Sequence, residues 1–498
     1  MWIHLTLLAV TLAVLWVRKR YSYWKERGIP YSEPSFPVGN IPGMGRTEHF
    51  STLMQRCYKD LKRKGPIGGI FFFINPVALA MDLDLIKTVL VKDFQYFHDR
   101  SAYYNEKDDP LSAHLFAIEG NKWRNLRNKL TPTFSSGKMK MMFPTIIGVA
   151  DEFLKLMKTE VSKNNEIEMK EILARFTTDV IGNCAFGLEC NSLHNPEAEF
   201  RRMGRKIFAV PKGRLLKVFI AQQFRSMARS LRIAITDKEV SDFFMAAVKD
   251  TVKYREENKI ERNDFMSLLL KLKNAEPSDD CTAHNIDPMT VEEIAAQAFV
   301  FFLAGFETSS TALSYCLYEL AQNTDLQNKA RKCVADAIKK HSSMTYEAMQ
   351  DMPYIDQCIN ESLRKYPPVP NLTRTVSKDY KLPISDVVLQ QGSTLIVPVY
   401  AIQHDPEYYP DPERYDPDRF APDQVAKRNP YTFLPFGEGP RICIGMRFGM
   451  MQARVGLAYL MKDFRFTLST KTPVPLKISP RSPILASEGG LWLKVEQL

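Results

Sequence analysis

The chain has 498 residues, 45% of them hydrophobic and 25% charged, which is the composition of a folded protein long enough to bury a core without covalent staples. Its net charge of +10 is dispersed among 57 acidic residues and forms no basic stripe. That excludes a dedicated nucleic-acid binder and fits weak attraction to anionic lipid or to an acidic protein partner. Eight cysteines, none in a CxxC pair, exclude a disulfide scaffold and a structural zinc site.

Met1 to Val17 is apolar apart from His4, Thr6 and Thr11. As a helix it spans about 25 Å, close to the roughly 30 Å of a bilayer core. Arg18, Lys19, Arg20, Lys25 and Arg27 follow it. Positive charge on that flank keeps it cytoplasmic and leaves the N-terminus luminal. A cleaved signal peptide needs the opposite order of charge and a small-residue cleavage site. Residues 1–20 therefore read as a signal-anchor, and residues 21–40, basic and punctuated by Pro30, Pro34 and Pro37, as a stiff linker. No run of 18 apolar residues follows, so 41–498 reads as one body on the cytoplasmic face of the membrane.

Gly69 to Met81 predicts a strand pair broken at Asn75-Pro76. Helical periodicity takes over from Asp82 and dominates 140–270, and Asn274 to Asp287 reads as a polar loop. Thr290 and Glu293 form a capping box. It predicts a buried helix of about 32 residues running to Gln322, roughly 48 Å long. A second helix is expected over Asp325–Lys340, strands over Tyr380–Leu389 and Thr394–Val399, and a helix over Met446–Lys462. The expected class is mostly α with small β-sheets.

Phe436-Gly437-Glu438-Gly439-Pro440-Arg441-Ile442-Cys443-Ile444-Gly445 satisfies F-x-x-G-x-R-x-C-x-G at every defined position. The glycines permit a tight backbone that approaches a flat cofactor, and Cys443 precedes a helix whose N-terminus favours a thiolate. A thiolate bound to haem iron pushes electron density onto the metal and favours O–O cleavage. Through these residues the chain resembles the cytochrome P450 family. Thr177-Thr178-Asp179-Val180-Ile181-Gly182 and Gly445 to Gln452 look most like its insect microsomal family 6 members.

The resemblance implies a cytochrome P450 fold with a long central helix over a haem b, iron protoporphyrin IX, and Cys443 as the axial iron ligand. Phe436 and Gly445 frame that loop, while Trp123, Arg127, Arg374 and Arg441 lie near the haem propionates. Glu361 and Arg364, an E-x-x-R pair on one helix face, join Arg419 in a structural triad bracing the loop; the family usually carries Glu where this chain has Asp418. In Ala304-Gly305-Phe306-Glu307-Thr308-Ser309, Thr308 would hydrogen-bond bound dioxygen and Glu307 would relay protons, with the helix locally widened. Residue by residue the same segment also reads as a polar interruption satisfied by back-bonding to the preceding turn. Substrate contacts implied are Phe116, Phe302, Ala304, Val369, Leu372 and the Ser487-Glu488-Gly489 turn. Val218 to Ile235, with Phe219, Phe224 and Leu231, reads equally as a membrane-dipping segment or an ordinary helix–loop–helix.

The implied activity is a haem-thiolate monooxygenase. It inserts one atom of O2 into apolar small molecules, xenobiotics or insecticides and insect hormones among them. Electrons come from NADPH through a separate NADPH-cytochrome P450 reductase, with cytochrome b5 as a second donor. Lys122, Arg124 and Lys129 offer a docking face for such an acidic partner. The endoplasmic reticulum is the expected membrane. Two rival readings are a haem-thiolate isomerase or dehydratase needing no external electrons, and a non-catalytic binder of apolar ligands.

Overall fold

The computed structural model describes residues 2–209, 212–274, 288–383 and 386–498, so most of the expected 274–287 loop lies outside the described residues. Helix α1 (Trp2–Tyr21) buries none of its side chains and ends on Arg18, Lys19 and Arg20. Among the described residues it is the one helix long and apolar enough to cross a membrane. The proline-punctuated stretch behind it lies against the body. Trp24 is fully buried and donates its indole N–H to the Ile70 carbonyl at 3.1 Å, and Asn40 bridges to Phe71. Helix α2 (Phe50–Leu61) packs behind β1 (Ile67–Phe72), which pairs antiparallel with β2 (Asn75–Ala80).

The turn of that hairpin is Phe73-Ile74, two residues earlier than the Asn-Pro signal suggests. Phe73 takes the positive φ of 53° that the tight turn requires. Asn75 and Pro76 are instead the first two residues of β2, opposite Phe72 and Phe71. Proline is tolerated there because its missing N–H falls before the parallel pairing of β2, which starts at Val77.

Helices α3 (Gly120–Leu130) and α4 (Ser136–Lys163), strand β3 (Glu166–Glu168), and helices α5 (Met169–Ile181), α6 (Glu199–Phe208) and α7 (Lys238–Asn258) follow. Helix α8 (Val291–Gln322) is the expected 32-residue helix. Thr290 accepts from the Glu293 N–H at 3.1 Å and Glu293 accepts from the Thr290 N–H at 2.9 Å, closing the capping box. Helices α9 (Thr324–His341) and α10 (Pro353–Lys365) lead to the strands β4 (Leu372–Thr375), β5 (Tyr380–Lys381), β6 (Val388–Leu389) and β7 (Thr394–Val397). The expected strand over 380–389 is a two-stranded hairpin, β5 on β6. Strand β7 stops at Val397 because Pro398 has no N–H to donate and caps the next short helix, Val399–Gln403. Helix α11 (Met446–Asp463) and strands β8 (Phe464–Leu468) and β9 (Trp492–Gln497) complete the chain.

The sheet order β1-β2-β7-β4 forms one layer with its own apolar core, built from residues such as Trp24, Leu79 and Ile396. A second sheet, β3-β9-β8, closes the far end. The larger core is helical and surrounds α8, which is buried from Ile294 to Phe302. The segment carrying Cys443 joins the two cores. Helix α8 runs through Gly305 as regular α-helix rather than widening there. A Cβ on Gly305 would stand 2.8 Å from the Ile181 side chain, so this glycine serves the close approach of α5 and α8.

Candidate functional site

Cys443 sits at the end of a loop that enters α11 at Gly445. Its N–H donates to the Phe436 carbonyl at 2.9 Å, so Phe436 sets the loop's closure. The Cys443 side chain is exposed, with the Arg100 and Arg127 guanidiniums near it. Burial raises the thiol above its ordinary range; the Gly445 N–H and the Arg100 and Arg127 guanidiniums act the other way. The other cysteines among the described residues are buried or half-buried, as inert thiols are. Gly439 has φ +77°, and a Cβ there would lie 1.9 Å from the Leu90 carbonyl. The close approach this glycine serves is to that neighbouring backbone.

Four guanidiniums converge beside Cys443. Arg374, on β4, is buried, gives one bond to the Thr373 carbonyl and leaves Nε unpartnered. Arg441 is buried too and lies 4.6 Å from the centre of the Trp123 ring. It donates to the carbonyls of His98 and Ile118, the latter at 2.8 Å, and its Nε has no partner. Arg127 projects from α3 and is pulled below its ordinary range by burial. Arg100, which the sequence motifs do not mark, is the fourth. Burial first, then Arg441, Arg374 and Arg127, drives it well below the ordinary arginine range. Burial and Arg374 bring Arg441 down to about 9, and burial alone brings Arg374 to about 10. Arginine keeps its proton in proteins, so these shifts describe a buried cluster that calls for negative charge. Asp99, 3.7 Å from Arg441, and Glu119, paired with Arg225 at 2.8 Å, supply only part of it.

Behind the loop, Glu361 and Arg364 are fully buried on α10 and share two hydrogen bonds of 2.8 and 2.9 Å. Arg419 approaches Glu361 at 3.5 Å and donates to the Pro410 and Asp411 carbonyls. Arg364 also donates to the Gln403 carbonyl at 2.9 Å, and the Gln403 side chain accepts from the Leu434 N–H at 3.0 Å. Gln403, unmarked in the sequence, thus connects the triad to the loop that ends at Cys443.

Ala304 is exposed and Thr308 half-buried on one face of α8. The Thr308 hydroxyl donates to the Ala304 carbonyl at 2.6 Å, the back-bond expected of a polar interruption, which leaves its lone pairs free to accept. Glu307 turns toward α5 and pairs with Lys170 at 2.9 Å.

The expected substrate contacts divide. Phe116 (48% exposed) and Val369 (40%) are open, and Leu372 lies 3.7 Å from where a Cβ on Gly437 would sit. Arg100 covers the Phe116 ring at 4.2 Å. The 484–489 segment reaches the same region, because the Leu485 N–H donates to the Pro368 carbonyl at 3.1 Å. Phe302 is different. It is fully buried in an aromatic cluster with Phe186, Phe200, Phe244 and Phe306, so its ring is part of the core and not open to a ligand. Two short helices, Lys212–Gln223 and Arg225–Ser230, occupy the 218–235 region. Phe224 and Leu231 are exposed there, and the Phe219 side chain lies outside the described residues.

Residues 30–492 match the cytochrome P450 family model. The chain is 46% identical to probable cytochrome P450 6a14 of Drosophila melanogaster, across 96% of both chains. It is 45% identical to cytochrome P450 6A1 of Musca domestica, across 98% of this chain and 96% of that one. A family match over residues 30–492 and these insect relatives, aligned along nearly the whole chain, place it in the haem-dependent cytochrome P450 monooxygenases, beside their family 6A members.

Proposed function

We propose that this monooxygenase inserts one atom of O2 into apolar small molecules, foreign compounds among them, with electrons passed one at a time from NADPH by a separate reductase. The observation that carries the reading is the open Cys443 thiol beside four guanidiniums with too few carboxylates to match them. The unpartnered, buried Nε atoms of Arg374 and Arg441 fit the same demand. Haem satisfies it with two carboxylates and, when bound, supplies the iron that activates dioxygen.

Cys443 would hold the iron, and Arg100, Arg127, Arg374 and Arg441 would hold the propionates through charge-assisted bonds. Two of these four also shape the surrounding protein, since Arg441 pins the 98–118 backbone and Arg100 covers Phe116. Thr308 presents a hydroxyl that can accept one hydrogen bond while giving another to Ala304. Glu307 supplies the acid function one residue away, and open apolar side chains at Phe116, Ala304, Val369 and Leu372 orient substrate by excluding water. Helix α1, followed by Arg18, Lys19 and Arg20, would anchor the enzyme in the endoplasmic reticulum with its body on the cytoplasmic side. The exposed Phe224 and Leu231 would touch the same membrane. Lys122, Arg124 and Lys129 offer the docking face for an acidic reductase or cytochrome b5.

The intact pairing of Thr308 with an acidic neighbour favours a monooxygenase over an isomerase, which has no use for proton delivery to dioxygen. Replacing Cys443→His tests the ligand directly. The red-shifted Soret band of the reduced carbonyl complex is expected to vanish. A variant that keeps that band would show that another residue holds the iron.

A further inference from the structure

A cleft of about 1070 Å³ opens where the C-terminal end of α8 meets the end of α10, the short helix Val399–Gln403 and the 474–478 segment. None of the residues placed around Cys443 lines it. Glu319 stands in its wall, about 16 Å along α8 from Thr308. Sites for small molecules run from about 300 to about 1000 Å³, so the space is ample for one.

Two buried acceptor atoms lining this cleft are left without a donor. Glu319 is 4% exposed. Its Oε1 takes the Lys365 ammonium at 2.7 Å and the Tyr366 hydroxyl at 2.6 Å, while Oε2 has no partner among the described residues. His404 is also 4% exposed, and its Nδ1 faces the Tyr400 carbonyl at 2.8 Å. A carbonyl only accepts, so the ring proton sits on Nδ1. Burial keeps the imidazole neutral, which leaves Nε2 a bare acceptor with no partner among the described residues. Buried acceptors left unmade are costly, so the cleft calls for N–H donors.

Its charge calls for the same ligand. Five of the lining side chains are carboxylates and two are cations. Lys365 answers Glu319, and Lys329 reaches Asp418 at 2.7 Å. Asp325, Glu413 and Asp416 form no ion pair among the described residues, against the one unpaired cation Arg414. Burial and the charge of Glu319 push the Tyr318 hydroxyl up to about 12. Tyr366 and Tyr400 are half-buried in the wall, stacked on Tyr315 and His404 at 4.4 and 4.1 Å between ring centres. Aromatic rings beside carboxylates attract organic cations. A bare metal ion suits the cleft less well, because no group of three metal-ligating side chains exists among the described residues. Val474, 61% exposed, and Leu476 add apolar surface that an ion alone would not use.

We propose that this cleft is a second ligand site, separate from the oxidation site, for a small amphipathic amine in its protonated form. The ammonium N–H groups donate to Glu319 Oε2 and His404 Nε2, Tyr366 and Tyr400 flank the cation, and the apolar body lies along Val474 and Leu476.

The test uses the full-length holoenzyme in detergent. Its iron is first occupied by a saturating azole, verified by the Soret shift, because an amine can also ligate haem iron. Dansylcadaverine, a primary ammonium on an apolar fluorescent body, is then titrated and followed by anisotropy. Saturable binding to one site per chain is expected. The trimethylammonium analogue keeps the charge without the N–H donors, and the N-acetyl analogue loses the charge. Each should bind at least about tenfold more weakly. His404→Phe keeps the ring stack without the acceptor and should weaken dansylcadaverine about tenfold. Glu319→Gln would also release Lys365, so the charge is tested instead at the exposed rim. There Val474→Lys should weaken dansylcadaverine and leave the N-acetyl analogue unchanged. Haem content and melting temperature report the folding of both variants. Loss of all saturable binding once the azole is in place overturns the proposal, since the haem pocket would then be the sole amine site. Equal affinity for either analogue also overturns it, as does parent-like affinity in either variant.

Discussion

At Gly439 the backbone, not the cofactor, dictates the residue. A side chain there meets the Leu90 carbonyl at 1.9 Å and must also accept φ +77°. At Gly437, with φ +71°, the nearest atoms are the Leu372 methyls at 3.7 and 3.8 Å. The two positions share the conformational penalty of roughly 1–2 kcal/mol for a left-handed residue, but only Gly439 adds a collision with fixed backbone. Gly439→Ala should therefore load much less haem per protein chain, read from Soret absorbance, while Gly437→Ala loads it nearly as well as the parent. Equal loading by the two variants would mean that the Leu90 contact is not what restricts the loop. The motif defines glycine at 439 and leaves 437 open, and at neither position does it give the reason for the residue. Arg100 and Lys170 were silent for a related cause: each acts through the partners that the fold brings to it, and a lone cation in a loop or on a helix's first turn carries no pattern.

Among the elements, α8 was legible end to end, because its cap, its length and its apolar stretch from Ile294 to Ala304 all argue for the same helix. The β1–β2 turn was not, because Asn-Pro carries a turn signal stronger than the Phe-Ile that makes the turn. The aromatic residues misled in the same way: a phenylalanine looks alike in sequence whether it stands open, as Phe116 does, or packs into the core like Phe302. The short helix Val399–Gln403 delivers two groups the sequence did not flag, Gln403 and His404. His404 is buried, stacks on Tyr400 at 4.1 Å between ring centres and bonds the Tyr400 carbonyl at 2.8 Å. Burial, with Arg364 nearby, holds it neutral and lowers it to about 3. An unfolded histidine titrates near 6.5, so between those values the unfolded chain takes up a proton that the fold refuses. The stability this protects is complete above about pH 6.5 and is lost progressively as pH falls toward about 3. His114, lowered to about 4 by burial, acts in the same direction. His404→Phe keeps the stacked ring without the proton site. Its melting temperature should fall less steeply than the parent's as pH drops below about 6.5. Parallel curves for the two proteins would remove His404 from the acid limb.

For the whole molecule, the decisive boundary is where the anchor stops and the body starts. Composition separated α1 from everything after it, because its apolar run is long, none of its side chains is buried and its basic end is unmistakable. Prolines and basic residues made 21–40 look like a spacer. Yet Trp24 and Ile29 are buried in the sheet core, and Asn40 gives and takes hydrogen bonds with the Ser32 carbonyl and the Phe71 N–H. Stiff, proline-rich chain can lie along a sheet edge as readily as it can span a gap, and only the partner strand decides. Two truncations separate these roles. Removing residues 1–20 strips no buried side chain, so the shortened enzyme should load haem and melt within a few degrees of the full chain. Removing residues 1–40 takes away a fully buried tryptophan, whose loss alone typically costs about 3–5 kcal/mol, and opens the outer edge of β1. That protein should melt far lower, load haem poorly and aggregate. If it instead matched the shorter truncation in melting temperature and haem content, the contacts of Trp24, Ile29 and Asn40 would contribute nothing to the body, and the segment would be a tether after all.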